Sequence, residues 1–456
     1  MSTTTMTPPS LPTYQTFDRR LESLPREELR ALQSQRLRAM VAYVYATSPF
    51  WRAKVDASGM APADFRTPED LRRLPLTSRA ELEADQLANP PFGSYICSPP
   101  EQWARFLTTS GTTGRKLRRV YSARDWELAV GRLARGRGDS RGKLSMSLGP
   151  IDGLTGPTMA VEATIRTGGV PVLAGLWNTE AKVTEMAALR PAVISGSTSY
   201  LIHLSEVAQK MGVDLSNVGI ERVNASGEPG GAVESTRALL RERFGVTQIG
   251  DGYGMTELFP LGGTCAHSSA VHLAEDCVIV ECVDPETGSP VAPGEVGELV
   301  YTNLIGDTHP VLRYRSRDLG RLSDGSPCAC GSTFVRIERL EGRSDDMVTY
   351  HGSNFFPSAV EQVVRTFPGL SPEYRIVIDH RGSLPRLVVQ VEAQGGVAGD
   401  DDLAAPLAEA LRRAISVRPA VEVLAAGTLP RVEAGSGRTK TNRVVELREV
   451  EGSVAQ

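Results

Sequence analysis

No apolar run in this chain of 456 residues approaches the length of a membrane-spanning helix, and the opening stretch Met1 to Thr13 is polar. A hydrocarbon span takes about 20 apolar residues in succession. No transmembrane segment is therefore expected, and the lead-in reads as disordered rather than as a secretion signal. Cysteine is scarce, at six residues unevenly spread. That excludes a disulfide framework and favours a reducing compartment, the cytoplasm. Neither sign of charge is in large excess: the formal net charge is −4, which gives no electrostatic case for binding nucleic acid or an anionic membrane. No internal repeat is visible. The remaining composition, 41% hydrophobic and 23% charged, is that of a soluble globular protein too long for one ordinary core, so two or more domains are expected.

Hydrophobic periodicity orders the chain. Helical spacing from Phe17 to Ser48 begins the fold, and Ala80 to Asp85 continues it. From Trp126 onward, apolar strands at Val170–Leu173, Pro191–Ser195 and Gly245–Ile249 alternate with helices at Glu180–Leu189 and Ala232–Phe244. That alternation predicts a largely parallel sheet in an α/β fold. At Val278–Val283 and Gly297–Asn303 the pattern changes to strands between Pro/Gly turns, as in a smaller β-rich subdomain. A compact α/β section follows, with helices over Pro357–Phe367 and Asp401–Ile415 and strands over Tyr374–Ile378, Arg386–Glu392 and Val421–Leu424. The polar run Glu341 to Asp346 separates the two parts. The expected division is a large N-terminal domain over residues 1–341 and a small C-terminal α/β domain over 342–456.

The chemistry-bearing segments are short. Thr109, Ser110, Gly111, Thr112, Thr113 and Gly114, followed by Arg115 and Lys116, combine hydroxyls, glycines and cations. Glycine lets backbone N–H groups approach an anion, and the hydroxyls add donors. The spacing of a Walker loop is missing, and a Ser/Thr/Gly surface turn is the plain alternative. Further polar clusters follow strand-like segments, where open α/β sheets bind ligands. One is Ser226-Gly227-Glu228-Pro229. A second, Asp251-Gly252-Tyr253-Gly254-Met255-Thr256-Glu257, offers a ring for stacking, a hydroxyl donor and a carboxylate suited to Mg²⁺. An ordinary strand-to-loop turn is its alternative. In the third, Tyr314 to Gly320, Asp318 could accept from ribose hydroxyls, and a salt-bridged β-turn explains it equally well. A fourth, Gly342 to Asp346, lies at the domain boundary.

In this order these segments resemble the adenylate-forming superfamily, specifically its phenylacetate–CoA ligase-like branch, over about Phe106 to Arg443. The resemblance implies an α/β fold with a small mobile C-terminal domain. It implies an AMP-forming acid–thiol ligase using ATP and Mg²⁺: a carboxylate attacks the α-phosphate to form an acyl-adenylate, and a thiol then displaces AMP. Thr109 to Gly114 and Lys116 match the phosphate loop. Gly227, Glu228 and Pro229 match the adenine-side loop, and Asp251 to Glu257 match the adenosine- and Mg²⁺-contacting motif, with Thr256 and Glu257 as catalytic groups. Asp318 matches the ribose-binding aspartate with Arg343 assisting, and Asp345 the hinge residue. Gly352 and Asn354 match the thioester-forming loop. Lys440 matches the mobile catalytic lysine by its distance from Arg443, although Arg438 and Thr439 stand between Gly437 and Lys440, a departure from the family pattern.

A small aromatic carboxylate is the expected substrate, lined by Leu258, Phe259 and Pro260 with space beside Gly252, Gly262 and Gly263, and by segments Ser147–Leu154 and Ser195–Tyr200. CoA is the expected acceptor. A carrier-protein thiol, an amine or another nucleophile is the alternative, and a catalytically silent nucleotide-binding scaffold is the non-enzyme reading. A homodimer is left open. Cys265, His272, Cys328 and Cys330 form a separate pattern of soft thiolates and one imidazole, suited to a structural tetrahedral Zn²⁺. Some members of the branch are similar here. Reduced cysteines with a surface histidine are the alternative. His267, Cys277 and Cys282 lie close by, the two cysteines in a strand pattern that points them at core.

Overall fold

The computed structural model describes residues 11–12, 14, 16–108, 117–151, 154–227, 231, 233–351, 353–381, 385–394, 401–431 and 443–448. The chain opens with α1 (Arg26–Thr47), α2 (Pro49–Ala57) and α3 (Arg79–Ala88), then β1 (Trp103–Thr108), β2 (Arg118–Ser122) and α4 (Ala123–Arg135). Strands and helices then alternate: β3 (Leu144–Ser147), α5 (Thr155–Arg166), β4 (Val170–Leu173), α6 (Thr179–Leu189), β5 (Val193–Gly196), α7 (Thr198–Lys210), β6 (Arg222–Ser226) and α8 (Glu234–Phe244). Seven consecutive strands follow: β7 (Gln248–Met255), β8 (Phe259–Cys265), β9 (Ser268–Leu273), β10 (Val278–Val283), β11 (Val296–Asn303), β12 (Tyr314–Leu322) and β13 (Arg336–Arg343). The end of the chain holds β14 (Val348–Tyr350), β15 (Ser353–Phe355), α9 (Pro357–Thr366), β16 (Leu370–Asp379), β17 (Arg386–Ala393), α10 (Asp401–Ile415), β18 (Ala420–Leu424) and β19 (Val444–Leu447). Among the described residues no helix is long and apolar enough to cross a membrane.

The chain separates into two compact units. The first comprises Met1–Leu176, Pro191–Ser195 and Gly250–Leu340; the second comprises Trp177–Arg190, Gly196–Ile249 and Glu341–Gln456. In the first, β3 pairs in parallel with both β4 and β5, as βα alternation predicts. Its β-rich part runs in the order β10-β11-β12-β13-β9-β8-β7, and the registers of its β7–β8, β8–β9, β13–β9, β10–β11 and β11–β12 pairs are antiparallel. In the second unit β16 and β17 pair antiparallel at the centre of the order β18-β17-β16-β19. The apolar faces of α9 and α10 close over that sheet, with Val360, Val364, Leu407 and Leu411 buried against Ile376, Val389 and Val391.

Local signals place the helix ends. Ser48 caps α2 by accepting from the N–H of Trp51 at 3.3 Å. Ser78 and Glu81 form a reciprocal capping box at the start of α3, and such a cap contributes about 1 kcal/mol. It also sets the first residue of α3, Arg79, whose importance emerges below.

Under the β-rich part lies a buried ion pair. Asp276 is fully buried and accepts two hydrogen bonds from the Arg135 guanidinium of α4, at 3.1 and 2.9 Å. Arg36 of α1 donates to the Asp276 carbonyl. Burial alone would raise the Asp276 pKa, but the charge and hydrogen bonds of Arg135, with the charge of Arg36 and the Cys277 thiol, together hold the carboxylate below its ordinary range. A group depressed in the folded state stabilises the fold above its unfolded pKa, and that contribution is lost as pH falls through the folded value. Asp276→Ala, which takes both carboxylate acceptors from the Arg135 Nη atoms and leaves the guanidinium only Glu22 at its Nε as an ion-pair partner, should cost about 3–5 kcal/mol in urea unfolding at pH 7. The deficit against the parent protein should shrink in strong acid. A variant as stable as the parent at pH 7 would show that the pair carries no such load.

Candidate active site and metal centre

The segment Asp251–Met255, expected as a loop after a strand ending at Ile249, lies instead inside β7. Its glycines serve close strand approach rather than a turn. Gly254 pairs with Pro260 of β8, and a Cβ on Gly254 would stand 2.8 Å from the Pro260 Cα. A Cβ on Gly262 would stand 2.5 Å from the His272 carbonyl of β9. Gly262 therefore leaves no space for a substrate, contrary to expectation. Leu258, Phe259 and Pro260 line one small cavity together. Leu258 and Phe259 are buried, and Phe259 packs on Tyr121 at 5.8 Å.

Asp318 sits in β12 rather than in a β-turn. The register of β11 on β12 shifts between Glu298 and Val300, and Arg317 takes a φ of 68°, the signature of a bulge that re-aims a side chain. Fully buried Glu298 holds it, accepting from the Arg317 N–H at 3.1 Å and the Arg315 Nε at 2.9 Å. Beyond the bulge, the Asp318 Oδ2 receives the Tyr253 hydroxyl at 2.5 Å. Tyr301 of β11 in turn donates to the Tyr253 hydroxyl oxygen at 3.2 Å. Burial, and then the charge of Asp318, push the Tyr253 phenol well above its ordinary pKa, so it remains a donor.

Glu257 is buried at the β7–β8 connection. Its Oε1 accepts from Arg79 Nη1 at 2.9 Å and from the Tyr314 hydroxyl at 3.2 Å. Its backbone carbonyl accepts from Arg119 at 2.9 Å, and Arg119 also donates to the His309 carbonyl at 2.9 Å. The Thr256 carbonyl accepts from the Tyr121 hydroxyl at 3.1 Å. Thr256 and Glu257 are thus held from β2, α3 and β12 at once.

Of the remaining expected cofactor-binding residues, those that the structure describes belong to the second unit. Gly227 has a φ of 87°, in the left-handed region that favours glycine. In the second unit Arg343 forms a two-pronged pair with Asp345, 2.9 Å on each arm. Asn354 Oδ1 accepts from Thr349 at 2.8 Å across β14 and β15. Thr109 to Gly114, Lys116, Glu228, Pro229, Gly352 and Lys440 lie outside the described residues.

The cysteine–histidine pattern converges. One ligand atom from each of Cys265, His272, Cys328 and Cys330 lies within 4.8 Å of all the others. Cys265 closes β8, His272 stands in β9, and a turn before β13 brings the two late cysteines. That turn is made by Gly331, with a φ of 89° and its N–H on the Cys328 carbonyl at 2.9 Å. The Cys265 and Cys328 sulfurs are 3.8 Å apart. Zn–S bonds of about 2.3 Å in a tetrahedron place two sulfurs about 3.8 Å apart, so the donor set and its spacing fit zinc. Burial, with Arg336 adding to it, lowers the His272 pKa to about 4, so the ring is in the neutral form that ligates metals. Cys277 is buried, and Cys282 turns its thiol to the Gly320 carbonyl at 3.6 Å. Neither joins the cluster.

Arg79, Glu298 and Tyr301 were not singled out from the sequence as functional residues, and Tyr314 entered only as the opening residue of the Tyr314–Gly320 cluster. The only local signal among them is the capping box that sets Arg79 at the start of α3.

Comparisons with known proteins identify the class as an acid-activating, nucleotide-using α/β ligase. The family model of AMP-binding enzymes matches residues 25–303, and that of the AMP-binding enzyme C-terminal domain matches residues 352–448. The chain is 34% identical to a phenylacetate-coenzyme A ligase of Thermus thermophilus, covering 94% of this chain and 98% of that protein. It is 33% identical to a phenylacetate-coenzyme A ligase of Escherichia coli, covering 95% and 98%. The solved structure of 2-hydroxyisobutyryl-CoA ligase, in its postadenylation state with R3-HIB-AMP, superposes with a TM-score of 0.87 at 27% identity, covering 94% of this chain and 92% of that one. The chain belongs to the AMP-binding enzyme family. Its reaction class is that of an AMP-forming acid–thiol ligase, which forms an acyl-adenylate and transfers the acyl group to CoA.

Proposed function

We propose that the acid is aromatic and that the product is an aryl- or arylacetyl-CoA thioester. The reading is carried by the alignment of this chain, almost end to end, with phenylacetate-coenzyme A ligases at 34% and 33% identity. A carboxylate oxygen attacks the α-phosphorus of ATP and the bond to pyrophosphate breaks. The CoA sulfur then attacks the acyl carbonyl, gives up its proton, and AMP leaves.

In this reading the Tyr253 ring lies along the adenine, with Asp251, Gly252, Gly254 and Met255 shaping the strand beneath. Gly227, Glu228 and Pro229 stand at the adenine side. Asp318, assisted by Arg343, accepts from the ribose hydroxyls. Thr109 to Gly114 and Lys116 take the phosphates, with Thr256 donating beside them. Glu257 would hold Mg²⁺, a hard cation suited to its carboxylate oxygens, which offsets phosphate charge when bound. Lys440 offsets the charge that develops on the α-phosphate. In this reading a large domain over residues 1–341 is followed by a small one over 342–456, a division compatible with family-model matches at 25–303 and 352–448. Asp345 serves as the hinge, and Gly352 and Asn354 border the thiol arm. Cys265, His272, Cys328 and Cys330 would hold a structural Zn²⁺ that ties β8, β9 and the turn before β13 together.

With ATP, Mg²⁺, CoA and a panel of benzoic, cinnamic and arylacetic acids, mass analysis should find an aryl or arylacetyl thioester and AMP. Lys440→Ala should lower pyrophosphate release at least about a hundredfold, the scale of removing one transition-state contact, with an unchanged melting temperature. Turnover of fatty acids alone would contradict the aromatic assignment, and normal pyrophosphate release from the variant would remove Lys440 from the site. Protein purified without added metal should carry about one zinc per chain, as four protein ligands make one closed site. Cys328→Ser should lose it together with thermal stability. Metal-free protein of undiminished stability would leave the cluster as reduced thiols.

A further inference from the structure

We propose that Tyr301 is a positioning residue for nucleotide recognition, holding Asp318 toward the ribose through the hydroxyl of Tyr253. This rests on the reading that Tyr253 and Asp318 face the adenosine. Tyr301 is fully buried on β11, directly opposite Tyr314 of β12. A buried phenol needs a partner, and this one donates to the Tyr253 oxygen at 3.2 Å. Tyr253 has a single hydroxyl proton, and that proton goes to Asp318 at 2.5 Å. The chain therefore runs one way, from Tyr301 to Tyr253 to Asp318. By filling a lone pair of Tyr253, Tyr301 excludes arrangements in which the Tyr253 proton turns back toward β11. Each bond in such a relay polarises the next. The two rings lie 6.2 Å apart at 45°, so the packing survives loss of the hydroxyl alone.

Tyr301→Phe tests this with fold intact. The expected result is a KM for ATP raised about three- to tenfold, the span of one net hydrogen bond. The turnover number and the KM of the acid should stay within about twofold. Preference for ATP over 3′-deoxy-ATP should fall, because the carboxylate that reads the hydroxyl is less firmly aimed. Tyr253→Phe should raise the KM for ATP as well, and the double variant should be no worse than Tyr253→Phe, since both act on one relay. If Tyr253→Phe weakens ATP use and Tyr301→Phe does not, or if the two effects add, the positioning role is overturned. Loss spread equally over ATP, acid and turnover would also overturn it, as the mark of general damage. If neither Tyr253→Phe nor Asp318→Ala alters ATP use, the underlying adenosine assignment is what fails.

Discussion

Glu298 stands at full burial in the β-rich part, with the side chain of Arg315 and the backbone N–H of Arg317 delivered to its carboxylate. A buried carboxylate left without partners would cost several kcal/mol, so the chain around it is constrained to supply them. It does so by kinking: Arg317 adopts a left-handed conformation and β12 slips its register against β11. The kink turns Asp318 to the Tyr253 hydroxyl. The candidate nucleotide corner is thus a product of one satisfied buried charge, four strands on in sequence from the strand that carries Tyr253.

The same part of the molecule links that corner to the metal-type cluster. Gly262 lets β8 press against the His272 carbonyl of β9, while its neighbour strand β7 carries Tyr253. Backbones this close leave no slack for one strand to move without the next. A zinc ion held by Cys265, His272, Cys328 and Cys330 would stiffen β8 and β9 at one end of the sheet that also carries Tyr253. On the other side of the motif, Arg79, Tyr314 and Arg119 all close on Glu257, at its carboxylate and its carbonyl. The residue that would hold Mg²⁺ is accordingly aimed before any ligand arrives, which lowers the reorganisation required in the reaction.

Regular periodicity made much of the architecture legible. Val278–Val283 and Asp401–Ile415 agree with β10 and α10 end to end, because each buries a continuous apolar face. The cysteine–histidine cluster was legible because the chain holds only six of each residue, so four at turn-like positions stand out. The failures share a cause. Glycines in Asp251–Met255 read as turn signals, whereas their lost side chains let two strands approach, a tertiary fact with no local mark. The Tyr314–Gly320 segment read equally as a turn because a bulge held by a buried glutamate has the same polar composition. Arg79 on Glu257 and Tyr301 on Tyr253 join residues 178 and 48 apart, and no spacing rule reaches that far.

The central claim is that the corner built on Asp318 binds the adenosine of an acid-activating ligase. Acid-dependent exchange of labelled pyrophosphate into ATP, compared between the parent protein and Asp318→Ala, tests it most directly. The account predicts exchange that requires an aromatic acid in the parent and is largely lost in a variant of unchanged melting temperature. Equal exchange in the two proteins would contradict it.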